Sequence, residues 1–286
     1  MGDRMFETVA IVGPGLIGGS IGMGLKQAGL AGRVIGIGHR QGSIGKAVEL
    51  GAIDEGTLEL AKGVADADLV ILCAGVALVP VHAGKALPVM KPGSILTDVG
   101  STKREITEKI EALIGKRNVS YVGTHPLAGM EKRGVEAARG DLFRGSICIF
   151  TPTAHTTPEA KQRLAAMWSA LGARVKELDA RTHDKLISEI SHLPHLVAAA
   201  LVNGASREAL ELAATGFRDT TRIAAGDPEL WAEILLANRE NVARGLLLLL
   251  EQVRAFAMAL DRNDKEALLR VLQSAKDRRD KLGNRG

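Results

Sequence analysis

The feature that most constrains the fold is a short apolar run that leads into a glycine-rich turn close to the N-terminus. Residues 8–12 are apolar enough for a buried strand, and residues 13–18 follow directly with Gly-Pro-Gly-Leu-Ile-Gly. Glycines at these spacings allow a tight turn, a close approach of the backbone to a pyrophosphate, and close packing of the next helix on the strand. The N-terminus of that helix offers N–H groups to phosphates. We therefore predict a dinucleotide-binding turn whose cofactor contacts are Gly13, Gly15, Leu16, Ile17 and Gly18.

The first half of the chain alternates strand-like and helix-like patterns. Further apolar runs are separated by stretches with helical spacing and fall at residues 33–37, 68–73, 94–99, 121–124 and 146–150. This alternation is typical of parallel pairing, and it predicts an α/β Rossmann-type, doubly wound, mostly parallel sheet. From residue 180 onward the patterns are almost entirely helical, including one long pattern over 228–260. We predict a dinucleotide-binding domain over residues 1–179 and an all-α domain over residues 180–286.

The composition restricts the class of partner. Of the 286 residues, only 3% are aromatic, which disfavours a base-stacking platform for nucleic acid, and the net charge of +4 suits an enzyme with anionic ligands. The main basic run is at the C-terminus and is interpreted as a solvated tail. The first seven residues lack a signal-peptide pattern, and the apolar runs are too short to span a membrane. These features predict a cytoplasmic protein that acts on a small molecule, with no membrane or nucleic-acid partner.

A run of apolar residues at 246–250 would surround its helix on every side. Such a helix must be buried, either against the rest of the chain or against a second copy. We favour the second arrangement, and therefore predict a homodimer formed through the helical domain.

The end of the second predicted strand bears on the choice of cofactor. Enzymes that use NAD typically carry an acidic residue there to bind the ribose 2′-hydroxyl, but this chain has Gly38-His39-Arg40. Arg40, assisted by His39 and Ser43, would suit the 2′-phosphate of NADP, although Arg40 could equally be an exposed loop residue. NADP is therefore the expected cofactor, with NAD as the alternative.

Four further motifs carry a family resemblance. Residues 123–134 (Gly-Thr-His-Pro-Leu-Ala-Gly-Met-Glu-Lys-Arg-Gly) place His125 after a predicted strand, at the sheet edge where ligands bind. The other three are residues 97–103 (Thr-Asp-Val-Gly-Ser-Thr-Lys), 191–197 (Ser-His-Leu-Pro-His-Leu-Val) and 216–223 (Gly-Phe-Arg-Asp-Thr-Thr-Arg-Ile). Together and in this order they resemble the prephenate/arogenate dehydrogenase family of tyrosine biosynthesis. Its layout, a nucleotide domain followed by a helical dimerisation domain, is the layout predicted above.

The resemblance implies a reaction and its catalytic residues. The family oxidises a cyclohexadiene alcohol with NAD or NADP and releases carbon dioxide, which leaves an aromatic ring. By resemblance His125 accepts the hydroxyl proton, and Ser101 orients His125 and the reacting hydroxyl beside the nicotinamide. Ser101 also suits an N-cap of the next helix. Asp98 is expected at the cofactor turn, either organising it for the cofactor or serving only the fold.

The resemblance also implies a set of substrate contacts. Ser191 and His195 are four residues apart and share a helix face. By resemblance this face lines the substrate pocket, His195 bonds a substrate carboxylate and Arg222 clamps another; a buried histidine and a surface charge cluster are the alternatives. His192 and His195 could also form a metal pair, but no third ligand stands out, so no metal is expected. The remaining predicted contacts are Arg218, Asp219, Trp231 and Glu131.

Two other functions fit parts of the sequence. One is a different Rossmann-plus-helical-domain reductase, of the β-hydroxyacid dehydrogenase or imine reductase type. Such enzymes should carry a lysine in a helical Gly/Asn-rich segment near the domain junction, and no convincing one is found. The other is a non-catalytic dinucleotide sensor, which leaves the motifs around His125 and Arg222 unexplained. Prephenate and arogenate themselves are not distinguished by the sequence.

Overall fold

The structure is a computed structural model that describes residues 4–130 and 132–282. Internal contacts group the chain into one compact unit that ends at Asn238 and a second that begins at Arg239. Each unit is described separately below. The boundary expected from sequence patterns at residues 179 and 180 remains a prediction.

The first unit is built on one eight-stranded sheet, in the order β3-β2-β1-β4-β5-β6-β7-β8. All neighbours pair in parallel except β6 and β7, which are antiparallel. The predicted doubly wound, mostly parallel sheet is thus confirmed. The strands are β1 (Phe6–Val12), β2 (Ala31–Ile37), β3 (Glu55–Thr57), β4 (Leu69–Leu72), β5 (Ser94–Asp98), β6 (Val119–Pro126), β7 (Ile147–Pro152) and β8 (Arg174–Glu177).

Helices follow most of the strands and continue into an all-helical stretch. Those of the nucleotide-binding part are α1 (Leu16–Gln27), α2 (Gln41–Glu49), α3 (Leu60–Val64), α4 (Leu78–Ala86), α5 (Arg104–Ile114) and α6 (Pro158–Ala170). After β8 come α7 (Ala180–Ile187), α8 (Leu193–Gly204), α9 (Arg207–Glu211), α10 (Thr215–Thr221) and α11 (Pro228–Ala237). Thr157 and Asp227 each precede a proline, which predicts an N-cap followed by the first helical residue. Both caps are present: the Thr157 side chain accepts a hydrogen bond from Ala160 N (3.2 Å), and Asp227 accepts one from Leu230 N (2.8 Å).

Two apolar clusters cover the two faces of the sheet. One packs β1 and β7 against helices α1 and α6 around Trp168, and the other packs β4 and β5 against α4 and α5 around Tyr121. Strand order reverses at β1, which lies between β2 and β4, so a crevice opens at the carboxyl ends of these strands. Gly13 occupies this point with a φ of 89°, and a Cβ there would lie 2.4 Å from the carbonyl oxygen of Cys73. Only glycine fits this turn.

The helical stretch departs from the predicted pattern at two points. The sequence predicts a helical pattern over residues 185–203 that Pro194 could kink, and in the structure α7 and α8 are joined by a π-helical turn, Ser188–His192. Pro194 explains the change, because it lacks the N–H that would bond the carbonyl of the residue four positions earlier. The expected helix over 228–260 also divides, at Asn238, whose side chain bonds other buried groups.

Short elements were missed altogether. Strand β3 has three residues and α3 has five, which is too short for a hydrophobic period to show in the sequence. Helix α10 was missed because its sequence, Thr-Gly-Phe-Arg-Asp-Thr-Thr, contains few good helix formers.

The second unit is a pair of helices, α12 (Arg239–Asp261) and α13 (Lys265–Asp280). Asn263 turns the chain between them with a φ of 51°, and the Asp264 side chain caps α13 by accepting from Ala267 N. Leu247 and Leu248 of α12 remain 64% and 59% exposed in the single chain. Within residues 4–130 and 132–282, no helix combines the length and the apolar character that crossing a membrane requires.

Candidate active site

His125 lies in the wall of a cavity of about 530 Å³ at the carboxyl edge of the sheet. Strand β6 carries it there, as predicted from the sequence. The cavity, here called the His125 cavity, is apolar on much of its surface. Helices α1, α7 and α11, the π turn, the turn between α10 and α11, and the loop after β6 close it, with the side chains of Ile17, Leu127, Met130, Ile190, Ile223, Leu230 and Ile234.

A chain of two hydrogen bonds runs from His125 to a carboxylate. His125 Nδ1 is 2.9 Å from His183 Nε2, and His183 Nδ1 is 2.8 Å from Asp184 Oδ1. Asp184 also accepts the backbone N–H groups of Lys103 (2.7 Å) and Arg104 (3.0 Å), which are the start of α5. A carboxylate at a helix N-terminus is stabilised by the helix dipole as well as by these bonds.

These bonds define the tautomer of His125. Because the Asp184 carboxylate accepts, His183 Nδ1 must donate, and Nε2 of a neutral His183 must then accept. His125 therefore donates from Nδ1, and its Nε2 keeps a lone pair. A histidine in this tautomer can accept a proton from a ligand in the cavity.

Burial keeps these histidines neutral. Loss of solvent lowers the pKa of His125 well below its usual value, and the nearby His183, Lys103 and His192 lower it further. Burial also lowers the pKa of His183, although the hydrogen bond to Asp184 opposes that shift. His125 is therefore an unprotonated base at neutral pH.

A buried ion pair stabilises the turn after β5. Lys103 and Asp98 have no exposed side-chain surface and bond each other, while Tyr121 Oη donates to Asp98 Oδ2 (3.2 Å). Asp98 Oδ1 also accepts from Gly100 N (3.1 Å), which shapes the turn that carries Ser101. Asp98 thus organises the turn without lining either cavity, whereas Ser101 is in the cavity wall itself.

A second cavity of about 420 Å³ begins at the glycine-rich turn. All five residues predicted to contact the cofactor there are in its wall, together with Cys73, Val99, Lys132 and Arg133. No heavy atom lies within 4 Å of a Cβ built on Gly15, so a ligand can approach the backbone closely at this point. Leu16, Ile17, Ser101, Met130 and Leu230 belong to the walls of both cavities. The two cavities are therefore neighbours that meet at Ser101.

The residues after β2 lie apart from both cavity walls. His39 and Arg40 are exposed between β2 and α2, and Ser43 is exposed in the first turn of α2. No acidic side chain occupies this segment.

The predicted substrate contacts are only partly brought together. Ser191, Arg222 and Trp231 are in the wall of the His125 cavity. His195 lies behind Trp231, with the two rings stacked at 3.6 Å and 14°, and its Nδ1 has no hydrogen-bond partner among the described residues. Arg218 and Asp219 are on the exposed side of α10, and Glu131 is outside the described residues.

Several residues of this site were not found from the sequence. Lys103, His183, Asp184 and Asn238 act through contacts with partners 46 to 81 positions away, apart from the Lys103–Asp98 and His183–Asp184 pairs. The one local signal was the Asp179 N-cap, which starts α7 and brings His183 and Asp184 onto one buried turn.

Comparison with known proteins identifies the family. A model of the prephenate dehydrogenase nucleotide-binding domain matches residues 21–177, and a model of the prephenate dehydrogenase dimerization domain matches residues 179–274. The chain belongs to the prephenate dehydrogenase family. This confirms the resemblance, and it favours the dehydrogenase over the other reductases and the sensor.

Individual relatives agree over nearly the whole chain. The prephenate dehydrogenase of Bacillus subtilis is 33% identical, over 98% of this chain and 77% of the relative. The structure of A. aeolicus prephenate dehydrogenase in complex with hydroxyphenyl propionate and NAD+ is 34% identical, with a TM-score of 0.89, and covers 97% of this chain and 98% of that one. The structure of Synechocystis arogenate dehydrogenase is 31% identical, with a TM-score of 0.82, and the match covers 96% of this chain and 100% of that one.

The buried histidines predict a pH-dependent stability. Burial lowers the pKa of His192 to about 4, and an unfolded histidine titrates near 6.5, so the unfolded chain binds protons first as the pH falls. This stabilisation is complete above pH 6.5, and it is lost as the pH falls towards 4. The pKa shift of His192 alone should lower the free energy of unfolding by roughly 2 kcal/mol between pH 7.5 and pH 5. Urea unfolding at fixed protein concentration measures this.

A His192→Gln variant provides the matched comparison, because it should show a shallower loss over the same interval. Unfolding free energies that stay constant from pH 7.5 to 5 in the natural protein would contradict the burial of neutral histidines.

Proposed function

We propose that this protein catalyses the NAD(P)-dependent oxidative decarboxylation of prephenate, arogenate or both, giving 4-hydroxyphenylpyruvate or tyrosine. The observation that carries the proposal is the placement of a neutral histidine base, His125, in a cavity that adjoins the glycine-turn cavity. A hydride donor bound beside the base would face a nicotinamide bound along the glycine-rich turn. The names of the relatives support the choice of substrate.

The glycine-turn cavity suits a dinucleotide. Gly15 leaves its backbone open to a pyrophosphate, and the N-terminus of α1 follows directly, with no side chain capping it. When bound, an oxidised nicotinamide cofactor supplies the acceptor for the hydride. Ser101 is in the wall that both cavities share, where it would orient the reacting hydroxyl and His125.

His125 removes the hydroxyl proton while the hydride leaves the ring carbon that bears this hydroxyl. Its Nε2 lone pair accepts the proton, and its Nδ1–H remains bonded to His183. The positive charge that then forms on His125 is stabilised through His183 by the Asp184 carboxylate, as in other base–histidine–carboxylate arrangements. The resulting ketone loses carbon dioxide readily, because loss of the carboxyl group makes the ring aromatic. The protein therefore acts mainly on the hydride step, by positioning and electrostatics.

One carboxylate of the substrate is attached directly to the ring carbon opposite the hydroxyl carbon, and the other ends the three-carbon side chain on that same ring carbon. We assign Arg222 to one of them, because a guanidinium group matches a carboxylate in geometry and charge. Ser191 and Trp231 are in the same wall, and His195, which stacks on Trp231, remains a predicted contact. Arg218, Asp219 and Glu131 remain predicted contacts. An amine on arogenate would need a carboxylate nearby, for which Asp219 and Glu131 are the predicted partners.

NADP is the proposed preferred cofactor, and NAD is the alternative. Arg40 follows β2 with no acidic residue beside it, and its exposed side chain is available to a 2′-phosphate. His39 and Ser43 are exposed on the same segment and would add hydrogen bonds. The NAD+ bound in the A. aeolicus relative supports only a nicotinamide dinucleotide in general.

A homodimer formed through the helical domain is also proposed. The dimerization-domain match over residues 179–274 supports it, and so do the exposed leucines of α12, which the single chain leaves uncovered. The cytoplasmic location remains the prediction made from the N-terminal sequence.

The proposed reaction is tested by absorbance at 340 nm with prephenate or arogenate and each cofactor. His125→Asn should lower kcat by about 100-fold or more, because it removes the general base, while cofactor affinity stays unchanged. His155→Asn is the matched control, since His155 bonds Glu111 (3.2 Å) outside both cavity walls, and it should keep full activity. No turnover by the natural protein with either substrate would refute the function.

Replacing Arg40 tests the cofactor preference. Arg40→Ala should raise the KM for NADP about tenfold, because a charge-assisted contact to the 2′-phosphate is lost, and should leave the KM for NAD nearly unchanged. Lys46→Ala, on helix α2 just after Arg40 but paired with Glu49, should change neither value. Equal or better kcat/KM with NAD in the natural protein would contradict the assignment.

The dimer is tested by light scattering at micromolar concentration. Leu247→Glu should shift the mass towards a monomer, because it would place a charge in an apolar interface. Leu58→Glu, at a similarly exposed position outside the dimerization-domain match, should remain dimeric. A monomeric natural protein would rule the dimer out.

A further inference from the structure

His192 is a buried polar residue that the mechanism above does not use. It ends the π turn between α7 and α8, is 1% exposed, and belongs to the wall of the His125 cavity. Its Nε2 has no hydrogen-bond partner among the described residues. A buried donor without an acceptor is costly, and in a cavity wall it marks a place where a ligand can satisfy it.

Asn238 determines which nitrogen of His192 carries the proton. Asn238 Nδ2 lies 2.7 Å from the carbonyl oxygen of Asp184, which can only accept, so this atom is the amide nitrogen. The same Nδ2 lies 3.1 Å from His192 Nδ1. Since an amide nitrogen only donates, Nδ1 accepts and the ring proton of neutral His192 is on Nε2. His192 is therefore a fixed donor through the nitrogen that has no partner.

The same contacts place His192 at the base's end of the cavity. Two sets of hydrogen bonds meet at Asp184: its carboxylate bonds His183, which bonds His125, and its backbone carbonyl accepts from Asn238, which bonds His192. The charge state of His192 also influences His125, because a positive charge on one disfavours a positive charge on the other. In the proposed substrate, the ring carbon opposite the hydroxyl carbon bears one carboxylate and the side chain that ends in the other, so neither carboxylate is next to the reacting oxygen. The substrate atom that meets a donor at this end is the hydroxyl oxygen.

We propose that His192 donates a hydrogen bond from Nε2 to the oxygen of the substrate that loses its proton to His125. This inference rests on the proposed function. It makes His192 a third contact of the reacting oxygen, in addition to His125 and Ser101. No proton is transferred from His192 during the reaction.

The bond fits each stage of the oxidation. The O–H proton goes to His125 Nε2, the hydride leaves the carbon for the nicotinamide, and the C–O bond becomes a carbonyl. Negative charge builds on the oxygen when proton loss runs ahead of hydride loss, and a fixed donor stabilises that charge without reorganising. The same donor then bonds the carbonyl oxygen, and finally the phenol oxygen after carbon dioxide has left.

Binding of two product-like probes tests this contact without turnover. The probes are 3-(4-hydroxyphenyl)propionate, which has the ring oxygen, and 3-phenylpropionate, which lacks it, each titrated by calorimetry in the presence of the oxidised cofactor. His192→Leu should weaken the hydroxylated probe about tenfold and leave the other within about twofold. His192→Gln, which keeps an N–H near the position of Nε2, should bind the hydroxylated probe within about threefold of the natural protein. Equal losses for both probes in His192→Leu, or no loss for either, would overturn the proposal.

A measurement on the natural protein covers the case in which His192→Leu does not fold. The ring nitrogens of the protein's seven histidines can be observed by ¹⁵N NMR, and the signal missing in His192→Gln assigns His192. We expect the Nε2–H tautomer, and an Nε2 shift that moves with the hydroxylated probe only. An Nδ1–H tautomer, or equal movement with both probes, would exclude the contact. Turnover of prephenate or arogenate is assayed separately, so failure of the proposed function is distinguishable from failure of this contact.

Discussion

The arrangement of the site depends on the Asp184 carboxylate at the N-terminus of α5. Its side chain caps α5 through two backbone N–H groups and holds His183, while its carbonyl holds Asn238. A single residue thus connects the nucleotide-binding sheet to the helical stretch that follows it. The tautomers of His125 and His192 both derive from it. Geometry and proton position are therefore set by one interaction, rather than by separate contacts at each histidine.

The histidines at the base's end of the cavity are neutral. Burial lowers the pKa of His125, His183 and His192, and the buried charges of Lys103 and Asp98 neutralise each other. A site lined by cationic side chains would bind a dianionic substrate tightly, but it would contain no base to accept the substrate's proton. A neutral histidine accepts a proton when the reaction supplies one, and the proposed carboxylate contact, Arg222, is a separate cation in the same wall. This division separates binding from chemistry.

Much of the fold could be predicted from the sequence, and less of the site. The glycine-rich turn, the position of His125 after a strand, and the caps at Thr157 and Asp227 all depend on residues close together in the chain. The relay from His125 could not be predicted, because it joins residues 58 positions apart, and neither His183 nor Asp184 has a distinctive local pattern. Asn238 looked like an ordinary polar position within one long helix. Its role appears only when its amide is placed between two other segments.

The π turn at Ser188–His192 decides which side of the helical stretch each histidine occupies. In an unbroken α-helix each residue turns the direction of its side chain by about 100°, so His183 and His192, nine residues apart, would point to opposite sides. The wider turn absorbs one residue and reduces that angle to about 80°. Pro194 favours this wider turn, although it is in the wall of neither cavity. The rotational offset that a proline introduces is therefore part of what allows two histidines of one segment to serve the same cavity.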